Sequence, residues 1–201
     1  MSDSTSYENW LVNMEAKDPI LWKLICKFGM LTTTKRNPTF ASICEIIVGQ
    51  QLSGSAARTI FKRLVSVVET GELSPDNVLK LSSKQLKGVG LSGQKASFLL
   101  HNAQMFVERP NYFDEFKDLS DTILESELKK LRGVGPWTAQ IFMMSCYGRD
   151  NVFPEGDATL EKMVSLLYGI SPSQQKVEFS KLSELWCPFR SHAARYFWKE
   201  A

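Results

Sequence analysis

The chain has 201 residues, 43% of them hydrophobic and 23% charged, and no long Gly, Ser or Pro linker divides it, so one sizeable core in one domain is expected. The formal net charge of +2 excludes a histone-like or basic-tail protein and requires any polyanion contact to come from a local arrangement of charge. No apolar run reaches membrane-spanning length, nothing resembles a signal peptide, and Cys26, Cys44, Cys146 and Cys187 form no Cys-x-x-Cys pair. The expectation is a soluble intracellular protein with buried free thiols, no metal and no cofactor.

Residues 1–10 are polar and expected to fray, although Trp10 and Leu11 can dock on a core. Start and stop signals at Asp18-Pro19, Asn37-Pro38, Ser53-Gly54, Ser74-Pro75, Ser120-Asp121, Ser171-Pro172 and Cys187-Pro188 cut the remainder into roughly ten short helices. Apolar faces recur at helical spacing in Phe40, Ile43, Cys44, Ile47 and Val48, in Ile60, Leu64 and Val67, and in Phe98, Leu99, Asn102 and Phe106. Near the end, Phe189, Ala193, Tyr196 and Phe197 mark a last helix packed against the body. Strand-like alternation is hard to find, which points to an all-α, irregular helical bundle.

Two glycine turns interrupt this pattern, LKGVGLSGQKA at 86–96 and LRGVGPWTA at 131–139. The later one follows an amphipathic segment over 125–132 and precedes a helix starting near Pro136, giving helix, hairpin, helix. Gly133 and Gly135 allow positive φ and close approach of another backbone. Amides around such a turn, beside a helix N-terminus, make a nest for phosphate, and Lys129, Lys130 or Arg132 can assist. Such a hairpin holds DNA without reading its bases. On the bare pattern, an αα-hairpin whose glycines merely let two helices pack closely is the favoured reading. The earlier copy reads as a related structural turn, with Lys95 either reaching a phosphate or lying solvated at the surface.

Four stretches then occur in order: FASICEIIVGQQLSGSAARTI (40–60), LKKLRGVGPWTAQIFMM (128–144), VFPEGDATLEKMV (152–164) and CPFRSHAARYFW (187–198). This series resembles the helix-hairpin-helix DNA glycosylase superfamily, and within it the 3-methyladenine DNA glycosylase II branch of short, yeast-like type, across nearly the whole chain. The resemblance implies a two-lobed helical fold with interleaved lobes and a central cleft. It also implies double-stranded DNA containing damaged bases or abasic sites as partner, a monomer, and a nuclear location if the source is eukaryotic. Gly133, Val134, Gly135, Trp137 and Thr138 would form the DNA-binding hairpin, and the damaged nucleotide would be flipped from the duplex. Gln51, Leu52 and Ser53 match the minor-groove wedge, although Leu52 alone reads equally well as an ordinary apolar loop residue.

Asp157 matches the family's catalytic aspartate, and on sequence alone it also reads as the N-cap of a helix over 158–168. One carboxylate suffices for a cationic alkylated purine, because such a base leaves neutral and needs little acid help. Trp137 stands where strand-nicking relatives carry lysine, which implies hydrolysis without nicking. Trp137, Ile141 and Trp198 would line the base pocket, with packed core aromatics as the alternative for the two tryptophans. Ile141 and Ala158 replace tyrosines of a bacterial relative, and Gly156 is expected to loosen the loop that aims Asp157. Three functions follow: a monofunctional glycosylase of alkylated purines (3-methyladenine or 7-methylguanine type), a glycosylase-like protein that binds abasic or damaged DNA without excision, and a helical protein-interaction module.

Overall fold

The computed structural model of the protein describes residues 4–201. Twelve α-helices and no strand occur among the described residues: α1 (Ser4–Lys17), α2 (Pro19–Phe28), α3 (Phe40–Gly49), α4 (Gly54–Ser66), α5 (Pro75–Leu79), α6 (Ser83–Gly88), α7 (Gly93–Glu108), α8 (Asp121–Leu128), α9 (Pro136–Phe142), α10 (Ala158–Tyr168), α11 (Gln175–Leu185) and α12 (Arg190–Glu200). A 3-10 turn covers Asp114–Phe116, and α9 runs on into a π-helical turn, Met143–Tyr147. The fold is an all-α, irregular bundle, with two more helices than expected because α5 and α6 are stubs of 5 and 6 residues. No described helix is long and apolar enough to cross a membrane.

The chain forms two compact units. One comprises the chain up to Thr34 together with Gly148–Ala201, the other Lys35–Tyr147. In the first unit, residues 4–10 do not fray. Tyr7 stacks on Trp10 at 5.8 Å between ring centroids and lies 4.2 Å from the His192 ring, and Trp10 also meets Phe189, so aromatic burial fixes α1. Residues 1–3, included in the expected fraying, lie outside the described residues. Phe189, Ala193, Tyr196 and Phe197 are all buried, as the spacing predicts.

Asp18 is a buried carboxylate with four donors. Its Oδ1 accepts from the amides of Ile20 and Leu21, capping α2, and its Oδ2 accepts from Trp186 Nε1 at 2.8 Å and from the Tyr168 hydroxyl at 2.5 Å. Burial, and then the adjacent Asp18 charge, push the Tyr168 hydroxyl well above the usual tyrosine pKa. Asp18→Ala removes a cap and strands two buried donors, so a loss of about 3 kcal/mol in urea unfolding is expected.

In the second unit, α3 buries Phe40, Ile43, Cys44, Ile47 and Val48 together, and Thr39 caps its start. The stripe expected on α4 holds at Leu64, which is buried, and at Ile60, which is half-buried against Gly90. Val68, four residues after Leu64, takes the buried position expected of Val67, which is exposed. All four cysteines carry free thiols, but only Cys44 and Cys146 are buried; Cys26 and Cys187 are exposed, against expectation. Cys26 belongs to the outer side of the amphipathic α2, where Leu21, Leu24 and Ile25 take the buried positions.

Candidate functional site

The hairpin joins α8 to α9. Leu131 and Val134 are buried beneath it, and the Val134 amide donates to Leu131 O. Gly133 has φ +79°, and a Cβ placed there would stand 2.3 Å from Phe98 Cδ2, so this position needs glycine twice over. Gly135 differs from the expectation. Its backbone is extended, with φ −91° and ψ −177°, and a Cβ placed there would meet nothing within 4 Å beyond its chain neighbours, so neither positive φ nor a close protein neighbour demands glycine. Gly135 precedes Pro136 as the N-cap of α9 and makes no side-chain capping bond. Lys129 and Lys130, just past α8, pair with Glu125 and Glu127 of that helix.

Buried Asn102 of α7 holds the hairpin by its backbone. Its Nδ2 donates to Arg132 O and its Oδ1 accepts from Arg132 N, both at 2.9 Å. The signal was available, because an asparagine on an otherwise apolar helix face must find buried partners.

The candidate wedge is a type II turn. Gln50 has φ −53° and ψ 133°, Gln51 has φ +58°, and the Leu52 amide donates to Gly49 O at 3.2 Å. The third position of that turn favours glycine, so holding Gln51 there costs about 1 kcal/mol. Gln51 and Leu52 are exposed at the tip, and Ser53 caps α4 through the Ala56 amide. Gln50 Nε2 donates to both Gly133 O and Thr138 Oγ1 at 2.8 Å, which ties this turn to the hairpin. Thr138 is therefore not on the hairpin surface: it is buried and serves as an acceptor for Gln50. Lys95, expected at a phosphate or solvated at the surface, is turned to the main chain. Its Nζ donates to Val48 O at 2.8 Å and Gln50 O at 2.7 Å, and burial lowers its pKa.

Trp137 and Ile141 come together in the second unit, lining a cavity of about 230 Å³. Gly49 and Ala57 leave it space, and the ion-paired Arg36 and Glu45 give it a polar side.

Asp157 and Trp198 come together in the first unit. The Asp157 amide donates to Pro154 O, closing a turn in which Gly156 has φ +83°. Glycine here satisfies a left-handed turn position, so it shapes the loop instead of loosening it. Asp157 caps α10 as expected: Oδ1 accepts from the Leu160 amide at 2.9 Å and from Trp198 Nε1 at 3.1 Å. The half-buried Trp198 thereby orients the carboxylate. Among the described residues, no group of three His, Cys, Asp or Glu side chains is placed to hold a metal.

Comparison with known proteins matches residues 44–189 to the HhH-GPD superfamily of base excision DNA repair proteins. The Bacillus subtilis protein YfjP is 29% identical over 163 residues, which cover 77% of this chain; the chain spans only 56% of that relative's length. The crystal structure of a DNA-3-methyladenine glycosidase from Bacillus halodurans is similar with a TM-score of 0.76 and 30% identity, covering 94% of this chain and 88% of that one. The Schizosaccharomyces pombe 3-methyladenine DNA glycosylase Mag1, solved in complex with abasic DNA, shares the fold with a TM-score of 0.82 at 23% identity over 95% of both chains. With well over half of its length matched to the family and a 30% identical relative covered almost end to end, the chain belongs to the HhH-GPD superfamily of base excision DNA repair proteins, on its 3-methyladenine glycosylase branch.

Proposed function

We propose that the protein is a monofunctional DNA glycosylase that hydrolyses the N-glycosidic bond of alkylated purines, of the 3-methyladenine and 7-methylguanine type, in double-stranded DNA. The observation that carries this reading is Asp157, a carboxylate fixed by the Leu160 amide and the Trp198 indole. In this reading the amides at the start of α9 grip a phosphate, and Gln51 and Leu52 enter the space left by the flipped nucleotide. The base stacks on Trp137, whose π face favours a cationic ring. As the bond from the sugar C1′ to the base nitrogen breaks, its electron pair neutralises the base. Asp157 stabilises the oxocarbenium ion left behind and orients the attacking water, whose oxygen bonds to C1′ as its proton passes to the Asp157 carboxylate.

Trp137 carries no amine able to form a Schiff base with the opened sugar, so the product is an abasic site in an unbroken strand. Borohydride added during turnover is accordingly expected to trap no covalent protein–DNA adduct, and a gel-shifted adduct would refute hydrolysis alone. A duplex series containing 7-methylguanine, ethenoadenine, an abasic analogue or no lesion tests the whole reading through base release and affinity measured together. Release is expected from the methylated duplex, and its absence at stoichiometric protein would sink the proposal. A second reading, a protein that binds abasic DNA without excision, is favoured by Ile141, which gives the Trp137 cavity an aliphatic wall where stacking would want a ring. That reading expects tight abasic-site binding with no release.

A further inference from the structure

We propose that Lys95 is a positioning residue: it locks the Gln50–Ser53 turn in the conformation that inserts into the duplex, and so governs nucleotide flipping. The inference rests on the glycosylase reading and accounts for the earlier glycine motif, which that reading leaves without a role.

The last carbonyls of a helix lack intrahelical donors and must be satisfied some other way. At the end of α3, four successive carbonyls are all accounted for. Ile47 O accepts from the Gln50 amide and Gly49 O from the Leu52 amide, while Val48 O and Gln50 O both accept from Lys95 Nζ. The two bonds that the turn cannot make for itself therefore come from one ammonium group, and a cation suits the negative end of a helix. The same turn holds Gln51 at φ +58°, a conformation that persists only when its surroundings over-determine it. Without Lys95, two carbonyls would need water and the turn that holds the strained residue would lose two of its bonds.

The motif explains how Lys95 gets there. Gly90, with φ +107°, turns the chain, Ser92 caps α7 through the Lys95 amide, and α7 then carries Lys95, Phe98 and Asn102 three and four residues apart on one face. Phe98 packs against Gly133 and Asn102 grips Arg132, so the helix face that restrains the wedge also restrains the hairpin. Gln50 then bonds the two directly. Intercalation requires the wedge at a set distance from the gripped phosphate, and α7 supplies that distance.

The test compares wild type, Lys95→Met and Lys95→Arg in single-turnover excision of 7-methylguanine. One substrate is an intact duplex; in the other the lesion lies opposite an abasic site, where the stack is already broken. A 2-aminopurine beside the lesion reports wedge insertion. Lys95→Met is expected to lower the rate on the intact duplex about tenfold to a hundredfold, the scale of a misplaced catalytic geometry, and to abolish the 2-aminopurine rise. It should change the rate on the pre-opened substrate less than about threefold, with no flipping step left to lose. Lys95→Arg, which can also donate to two carbonyls, should restore both signals. Equal losses on both substrates would mark a merely structural residue, and an unchanged 2-aminopurine signal in Lys95→Met would remove the wedge role; either overturns the proposal. Should Lys95→Met fail to fold, Lys95→Gln, whose shorter side chain carries a neutral amide in place of the ammonium group, is read by the same criteria. If wild type excises neither lesion, the glycosylase reading fails on its own, and 2-aminopurine beside an abasic analogue still decides the role of Lys95.

Discussion

Asp157→Asn is expected to reduce single-turnover release of 7-methylguanine about a thousandfold, the scale of removing a preorganised electrostatic group from a catalytic site, while leaving the fold and lesion binding intact. Asparagine isolates the charge. It is as good an N-cap as aspartate, and its carbonyl oxygen can accept from the Leu160 amide and the Trp198 indole as Oδ1 does now. The unfolding midpoint should therefore stay within about 0.5 kcal/mol of wild type. The carboxylate's attraction for a cationic sugar, and its capacity to draw a proton from water, are lost together. Affinity for an abasic-analogue duplex should be unchanged within a few-fold, because the proposed reading gives the holding of phosphates to the hairpin. Equal release by both proteins would dissociate Asp157 from the chemistry.

Asp157 also shows which parts of the molecule could be read from sequence. Its capping role and the bounds of α10 follow from a few neighbouring residues, as do Ser53 capping α4 and Pro136 opening α9. Turn chemistry was legible where one residue decides it, as at Gly133. It failed at Gly135, where the same letter in the same motif sits in an extended conformation that any residue adopts. The bonds that assemble the candidate site were not legible, because Lys95, Gln50 and Asn102 meet partners 30 to 88 residues away, mostly main-chain carbonyls and amides without side-chain identity. Helical periodicity marks which face of α7 is buried but not which turn lies against it. The same limit explains the start of the chain, where polar composition suggested fraying but Tyr7 and Trp10 find Phe189 and His192 from the far end of the sequence.

The contrast between the two hairpin glycines yields the other large effect. Gly133→Ala forces a Cβ to 2.3, 2.8 and 2.9 Å from three ring carbons of Phe98, including Cγ at the root of the ring, and imposes positive φ on an alanine. Together these should cost about 3 kcal/mol, read as a fall in the urea midpoint. Adding Phe98→Ala should recover the steric part alone, because the φ +79° penalty remains. Gly135→Asn should behave in the opposite way. The position is extended and open, and asparagine is a favoured N-cap, so stability should hold within about 0.5 kcal/mol. Nothing inside the protein demands glycine at 135, and in the proposed reading a phosphate approaches the backbone where a side chain would stand. Gly135→Asn is accordingly expected to weaken DNA binding about tenfold, and to do so equally on damaged and undamaged duplexes, because a phosphate contact carries no information about the base. Unchanged affinity would move the phosphate grip away from Gly135, while a loss confined to damaged DNA would place position 135 at the lesion itself.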